Sequence, residues 1–152
     1  MLEAKKIDVK DLRQYIDIAF ANDCNLLNYY DKSAGVLSEE AMVINTYNKI
    51  KDYLAYFHHC FAFKICIDGN DAGFIFFTKS PSLLVSFSIN KKYRQAEILK
   101  DYFESIKDSI ADDFMCLLYN ENTRAINWLV KCGMEVEFVN EEYTKLNYIL
   151  CH

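Results

Sequence analysis

At Phe61 the hydrophobic period of this chain changes from that of a helix to that of a strand, and the new period holds for three consecutive runs. Phe61, Phe63, Ile65 and Ile67 alternate with smaller or polar residues, and Asp68-Gly69-Asn70-Asp71 supplies a turn. Gly73-Phe74-Ile75-Phe76-Phe77 then resumes the apolar run. Ser80-Pro81-Ser82 breaks the pattern again before Leu83 to Ile89. Breaks this short leave no room for a crossover, so the three strands form an antiparallel meander.

The rest of the chain must pack on that meander. Leu2 to Ile7 reads as a first strand, and Asp8 caps a helix through about Ala21 with Leu12, Tyr15, Ile16, Ala19 and Phe20 on one face. Asn22 to Leu37 is a polar connection. Ser38 caps a second helix whose Met42, Tyr47, Ile50, Tyr53, Leu54 and Phe57 approximate a buried stripe, with His58-His59 at its end. After the meander, Arg94 to Ala111 carries Leu99, Tyr102, Phe103, Ile106 and Ile110 at helical spacing. Phe114 to Tyr119 is a nearly continuous apolar strand of the buried kind, and Thr123 to Lys131 is a short helix ended by Gly133. Glu135 to Leu150 holds one or two closing strands. The expected fold class is α+β, a mixed, mostly antiparallel sheet flanked by helices, with residues 1–152 forming one domain.

Composition narrows the function. A hydrophobic fraction of 52% and a net charge of only -5 supply a core and argue against disorder. A pI near 5.2 argues against a general nucleic-acid binder, which needs many cations to neutralise phosphates. No apolar run has the length of a bilayer span, so no membrane partner is expected and the compartment expected is the cytoplasm. The six cysteines follow no secretory signal and form no C-x-x-C; they read as reduced, with Cys66 and Cys116 acting as small hydrophobes. A metal site would have to be assembled from scattered cysteines and His58 or His59, and none is expected.

Asn122-Thr123-Arg124-Ala125-Ile126-Asn127-Trp128-Leu129-Val130-Lys131-Cys132-Gly133-Met134 resembles the N-x-x-A-x-x-x-Y-x-x-x-G-F segment of the GNAT (N-acetyltransferase) superfamily at Asn122, Ala125 and Gly133. Asp68-Gly69 with Ala72-Gly73-Phe74 resembles that family's hairpin before the cofactor strand. Asn90-Lys91-Lys92-Tyr93-Arg94 stands where the family often has P-x-Y-R. The resemblance implies a GNAT-like fold that binds acetyl-CoA where a strand runs into a turn and a helix, with a pyrophosphate on the helix's N-terminal amides. It places cofactor-binding positions at Ile89, Arg94, Gln95, Ala96 and Asn122.

The sequence also departs from that pattern. The family's turn reads roughly R/Q-x-x-G-x-G/A, whereas here Glu97 and Leu99 replace the glycines and set an anionic side chain where a diphosphate would bind. Lys91, Lys92 and Arg94 could offset that charge only by turning inward; otherwise they are a solvated turn. The tyrosine that in many members protonates the departing thiolate is Leu129 here, which cannot donate; Tyr93, Tyr119 or a water would have to serve, and Trp128 reads as a core aromatic. Leu83 to Ile89 and Phe114 to Tyr119 contain no acid that could act as base, so no catalytic residue is assigned. Asn122 is expected to cap the helix that follows it, a role that needs no ligand, and His58-His59 to be exposed or capping.

Three functions follow from these readings. The first is a degenerate, non-catalytic domain that binds a protein partner or its own copies. Asn122-Thr123, Ile126, Leu129 and Gly133, followed by Glu141-Glu142-Tyr143-Thr144, also resemble internal virion or virion-assembly proteins of tailed bacteriophages, which implies a place in a virion or an infected cell. The second is an active N-acetyltransferase that uses acetyl-CoA on an amine. The third is a domain holding another nucleotide or acyl carrier in the same cleft.

Overall fold

The computed structural model describes residues 1–11, 13, 14, 41, 44, 47, 48, 51, 52, 59–79 and 81–150. Asp68 and Gly69 have φ of 51° and 81°, the two left-handed residues of a type I′ turn. The turn is therefore two residues long, tighter than the four-residue Asp68 to Asp71 turn expected, and Asn70 and Asp71 already pair with Ile67 and Cys66. It joins β2 (Cys60–Ile67) to β3 (Asn70–Thr78), and β4 (Leu83–Ile89) completes the meander. Ala72 and every residue from Phe74 to Phe77 are buried, as a central strand covered on both faces requires.

β1 (Leu2–Ile7) pairs antiparallel with β2. After β4, a 3-10 turn at Lys91–Tyr93 leads into α1 (Ala96–Ile110), which carries the chain to β5 (Phe114–Tyr119). α2 (Thr123–Lys131) leads to β6 (Glu135–Val139) and β7 (Tyr143–Tyr148). The seven strands lie in the order β1-β2-β3-β4-β5-β7-β6, and β4–β5 is the parallel pair. The expected α+β class and mixed, mostly antiparallel sheet are thus observed.

α1 begins at Ala96, two residues later than the Arg94 expected, because Lys91 to Tyr93 are already held in their own turn. It ends at Ile110, and Ala111 closes it in the left-handed region at φ 52°. Tyr102, Phe103, Ile106 and Ile110 are buried on one face, each contributing about 2 kcal/mol of apolar burial. β5 is corrected: Phe114, Cys116 and Leu118 are buried, but Leu117 is 46% exposed. The strand buries only the face toward α1 and α2, so its apolar run conceals an alternating pattern.

Asn140 turns the chain between the closing strands, its Oδ1 accepting from the Glu142 and Tyr143 amides at 2.8 and 2.6 Å. Arg13, Gln14, Ala41, Ile44, Tyr47, Asn48, Lys51 and Asp52 are helical, in keeping with the two helices expected there. The stripe residues Leu12, Tyr15, Ile16, Ala19, Phe20, Met42, Ile50, Tyr53, Leu54 and Phe57, the Asn22 to Leu37 connection and His58 lie outside the described residues. Among the described residues, no helix is long and apolar enough to cross a membrane.

Candidate functional site

β4 and β5 pair only at Leu83 with Met115 and Leu84 with Cys116, and from there they part. A bulge in β4 accompanies the parting: Phe76 lies opposite Ser86 and Phe77 opposite Leu84, leaving Val85 as the extra residue. An extra residue bends its strand and ends regular pairing, while β5 is held on its other side by six consecutive pairs with β7. The Asn90 amide donates to the Ala72 carbonyl of β3 at 2.7 Å. Backbone direction alternates along a strand, so the amides of Phe87 and Ile89 point the other way, into the gap. The Ile89 carbonyl, on that same side, accepts from Arg94 Nε at 2.9 Å.

A cavity of about 250 Å³ lies at this gap, between the end of β4, α1 and the start of α2. Phe87, Leu99, Tyr102, Ala125 and Trp128 give it apolar walls. Ser88, Ile89, Arg94, Asn122 and Arg124 complete the lining. Asn122 caps α2 as expected, its Oδ1 accepting from the Ala125 amide at 3.4 Å. Its Nδ2 is buried without a partner, and so is Ser88 Oγ. Leaving such a group unsatisfied costs about 1–3 kcal/mol, so two on one cavity mark a place where a polar ligand would lower the energy.

A groove of about 640 Å³ runs on between α1 and α2 and shares Leu99, Arg124 and Trp128 with the cavity. It adds Lys100, Lys131 and Glu104. Cys132 also lines it, and burial foremost, then the Glu104 carboxylate, pushes its thiol up from the ordinary range, which disfavours the nucleophilic thiolate.

The whole architecture recurs in solved structures. An acetyltransferase from Thermus thermophilus superposes with a TM-score of 0.74 at 13% identity, over 99% of this chain and 97% of that one. The PaiA N-acetyltransferase of Thermoplasma acidophilum, in complex with coenzyme A, gives 0.67 at 16% identity over 99% of both chains. The spermidine N-acetyltransferase of Vibrio cholerae, in complex with CoA and spermine, gives 0.63 at 15% over 97% of this chain and 94% of that one. The fold is that of the GNAT acetyltransferases. No family model and no curated protein matches the sequence.

Of the five GNAT-derived positions, Ile89, Arg94 and Asn122 meet at the cavity, and Ala96 lines the adjoining groove. Gln95 is the N-cap of α1, in extended backbone, and its side chain makes no capping bond. Leu99 N donates to Gln95 O at 2.8 Å, so the helix starts at once, without a glycine cradle. The amides of Ala96, Glu97 and Ile98 precede that first helical bond. Glu97 is exposed in the first turn, where its charge suits the positive helix end but opposes an incoming anion. Of the basic trio, Lys91 and Lys92 are exposed and only Arg94 turns in.

Leu129 is fully buried at 0% exposure, so the position where the GNAT resemblance would place an acid belongs to the core. Trp128 stacks on Tyr102 at 5.9 Å and meets Phe87 at 5.7 Å and Phe103 at 6.1 Å, an aromatic wall as much as a core residue. Tyr93 lies under Lys92 and Tyr119 stacks on Tyr143 at 4.9 Å; the tyrosine that lines the cavity is Tyr102. Its hydroxyl donates to the Phe74 and Ser88 carbonyls at 3.0 and 2.8 Å, which binds its proton into the sheet. Sequence reasoning missed Ser88, Tyr102 and Arg124. Arg124 stood inside the quoted α2 segment, whereas Ser88 and Tyr102 carried no signal beyond their strand and stripe positions.

Proposed function

We propose that this chain binds an acyl-CoA thioester, acetyl-CoA in the first instance, in the gap between β4 and β5, and transfers the acyl group to an amine. The observation that carries this reading is the parting of β4 and β5 beside a cavity with unpartnered Ser88 Oγ and Asn122 Nδ2. Those two groups suit the amide-rich arm of such a ligand, since one donates and the other can donate or accept. Arg94 and Arg124 at the cavity, with Lys100 and Lys131 along the groove, would hold its phosphates by charge in place of a glycine loop.

Bound there, the thioester would supply an activated acyl group with a good leaving sulfur. The chain's own part is to orient that group and to offer β4 amide donors, fixed before reaction, to a developing oxyanion. No side-chain acid is assigned; as the amine nitrogen bonds to the acyl carbon and the C–S bond breaks, the proton lost by the nitrogen would pass through water to the leaving thiolate. Calorimetric titration with acetyl-CoA is the first test: binding in the micromolar range is expected, and no heat at millimolar ligand would remove the reading. Release of free CoA thiol on addition of an amine panel then tests transfer separately.

A second reading is favoured by Leu129 in the core and Glu97 in the first turn: a non-catalytic binding or assembly module, in the cytoplasm or in the virion of a tailed phage, whose ligand cleft is vestigial. It requires a protein partner or self-association. Light scattering after size exclusion, with the chain alone and in lysate of an infected host, would find a larger particle on this reading and a lone monomer otherwise.

A further inference from the structure

β6 is the outer strand on its side of the sheet, and all five of its residues are exposed. Of the eight large apolar side chains exposed among the described residues, three lie on this strand: Val136, Phe138 and Val139, at 48%, 46% and 61%. The β6–β7 register sorts them by face. Val136 lies opposite Leu146 and Val139 opposite Thr144, both buried, so these valines extend the core face past its last covered strand. Phe138, opposite Lys145, and Glu135, opposite Asn147, lie on the other face. Glu137 occupies a bulge and pairs with Lys145 at 2.5 Å. The Asn140 amide donates to the Tyr143 carbonyl at 2.9 Å, so by the alternation of antiparallel pairs the backbone of Val139 points outward from the sheet edge.

Charge decides what this edge can accept. From Cys132 to Thr144 there is no lysine or arginine, whereas Glu135, Glu137, Glu141 and Glu142 all fall there; Lys145, the next residue, is taken up by Glu137, which leaves the charge of Glu135, Glu141 and Glu142 to the edge. A second copy laid against this edge would oppose carboxylates with carboxylates, and like charges facing each other across a ladder destabilise it. The glutamates and the bulge thus block pairing between copies of this chain while leaving the edge open to a strand of opposite charge.

We propose that β6 is a docking edge for an extended basic segment of another protein, which adds as one more strand beyond β6. Its apolar residues cover Val136 and Val139 on one face, and its lysines or arginines lie beside Glu135 on the other, where Lys145 already lies over the Phe138 ring at 6.0 Å. The matching sequence alternates basic and apolar residues with period two.

The test is a titration of the full chain with a short capped peptide alternating Lys and Val, followed by fluorescence anisotropy and amide NMR. Amide shifts centred on β6 and new protection of the Val139 amide are expected, with affinity falling steeply as salt rises and no binding of the Glu-Val counterpart. Glu135→Lys with Glu141→Lys should weaken binding about tenfold at low salt. Val139→Pro removes the outward amide without removing a β6–β7 bond and should weaken it comparably. Should Val139→Pro fail to fold, the charge reversal decides alone. Equal binding by parent and charge-reversed chains, equal binding of the Glu-Val peptide, shifts centred on β1 or the β4–β5 gap, or a dimer of this chain that protects Val139 would each overturn the proposal.

Discussion

Removing one oxygen from Tyr102 tests how the cleft-bearing strand is fastened. The side chain is fully buried, and its single hydroxyl proton is shared by the Phe74 carbonyl on β3 and the Ser88 carbonyl on β4, at 3.0 and 2.8 Å. Tyr102→Phe keeps the ring, and with it the stacking on Trp128 at 5.9 Å. It creates almost no cavity, so the cost is the lost bond, about 1 kcal/mol, plus about 1 kcal/mol for carbonyl capacity left unmet in a dry site. At about 2–4 °C per kcal/mol for a domain of this size, the melting temperature should fall by about 4–8 °C. Thermal and urea denaturation measure it, and the urea m-value should not change, because the surface exposed on unfolding is the same. A melting temperature within about 1 °C of the parent would refute the reasoning. It would mean that the one ladder bond each carbonyl already accepts in the Phe74–Ser88 pair suffices, and that α1 is held by its apolar face alone.

Leu129→Tyr, the change that would restore the tyrosine of the resembled GNAT segment, should lower stability by about 1–3 kcal/mol, because a larger side chain with a hydroxyl must enter a fully buried site. Any acetyl transfer by this variant should not exceed the parent's; a gain in turnover would show that the position faces the cleft after all. At the β6 edge, the hydrogen bond from Lys145 holds the Glu137 carboxyl below the usual carboxylate range. A group depressed in the folded state contributes stability that is present at neutral pH and lost as pH falls through the folded pKa. Glu137→Gln should therefore flatten the acid limb of melting temperature measured from about pH 7 to about pH 3, and an unchanged limb would sink that assignment.

The parts of the fold legible in the sequence were those written in local chemistry. Asp68-Gly69 marked the hairpin because few residue pairs accept two left-handed conformations in succession, and the α1 stripe survived because Tyr102, Phe103, Ile106 and Ile110 share one helical face. What depended on distant partners was not legible. Leu117 reads as buried in an apolar run, but its side chain is 46% exposed, on the face of β5 turned away from α1 and α2. Gly73 stood only as part of a motif, and the structure adds its reason: a Cβ there would strike the Ser88 carbonyl oxygen. The candidate site was legible where it is a chain landmark, at Ile89, Arg94 and Asn122. It was hidden where it arises from strands that separate, since nothing at Ser88 announces that its neighbour strand has left.

The two residue pairs that join β4 to β5 also divide the sheet into a four-stranded and a three-stranded leaf. Each leaf has its own dense ladder, whereas among the described residues their union rests on those two pairs and on the core that α1, α2 and Trp128 share with both leaves. Native-state hydrogen exchange should therefore resolve two cooperative units rather than one, with β2 and β3 exchanging together and β5 with β7 together. The gap proposed to take the thioester is then the same weak seam along which the molecule would first come apart.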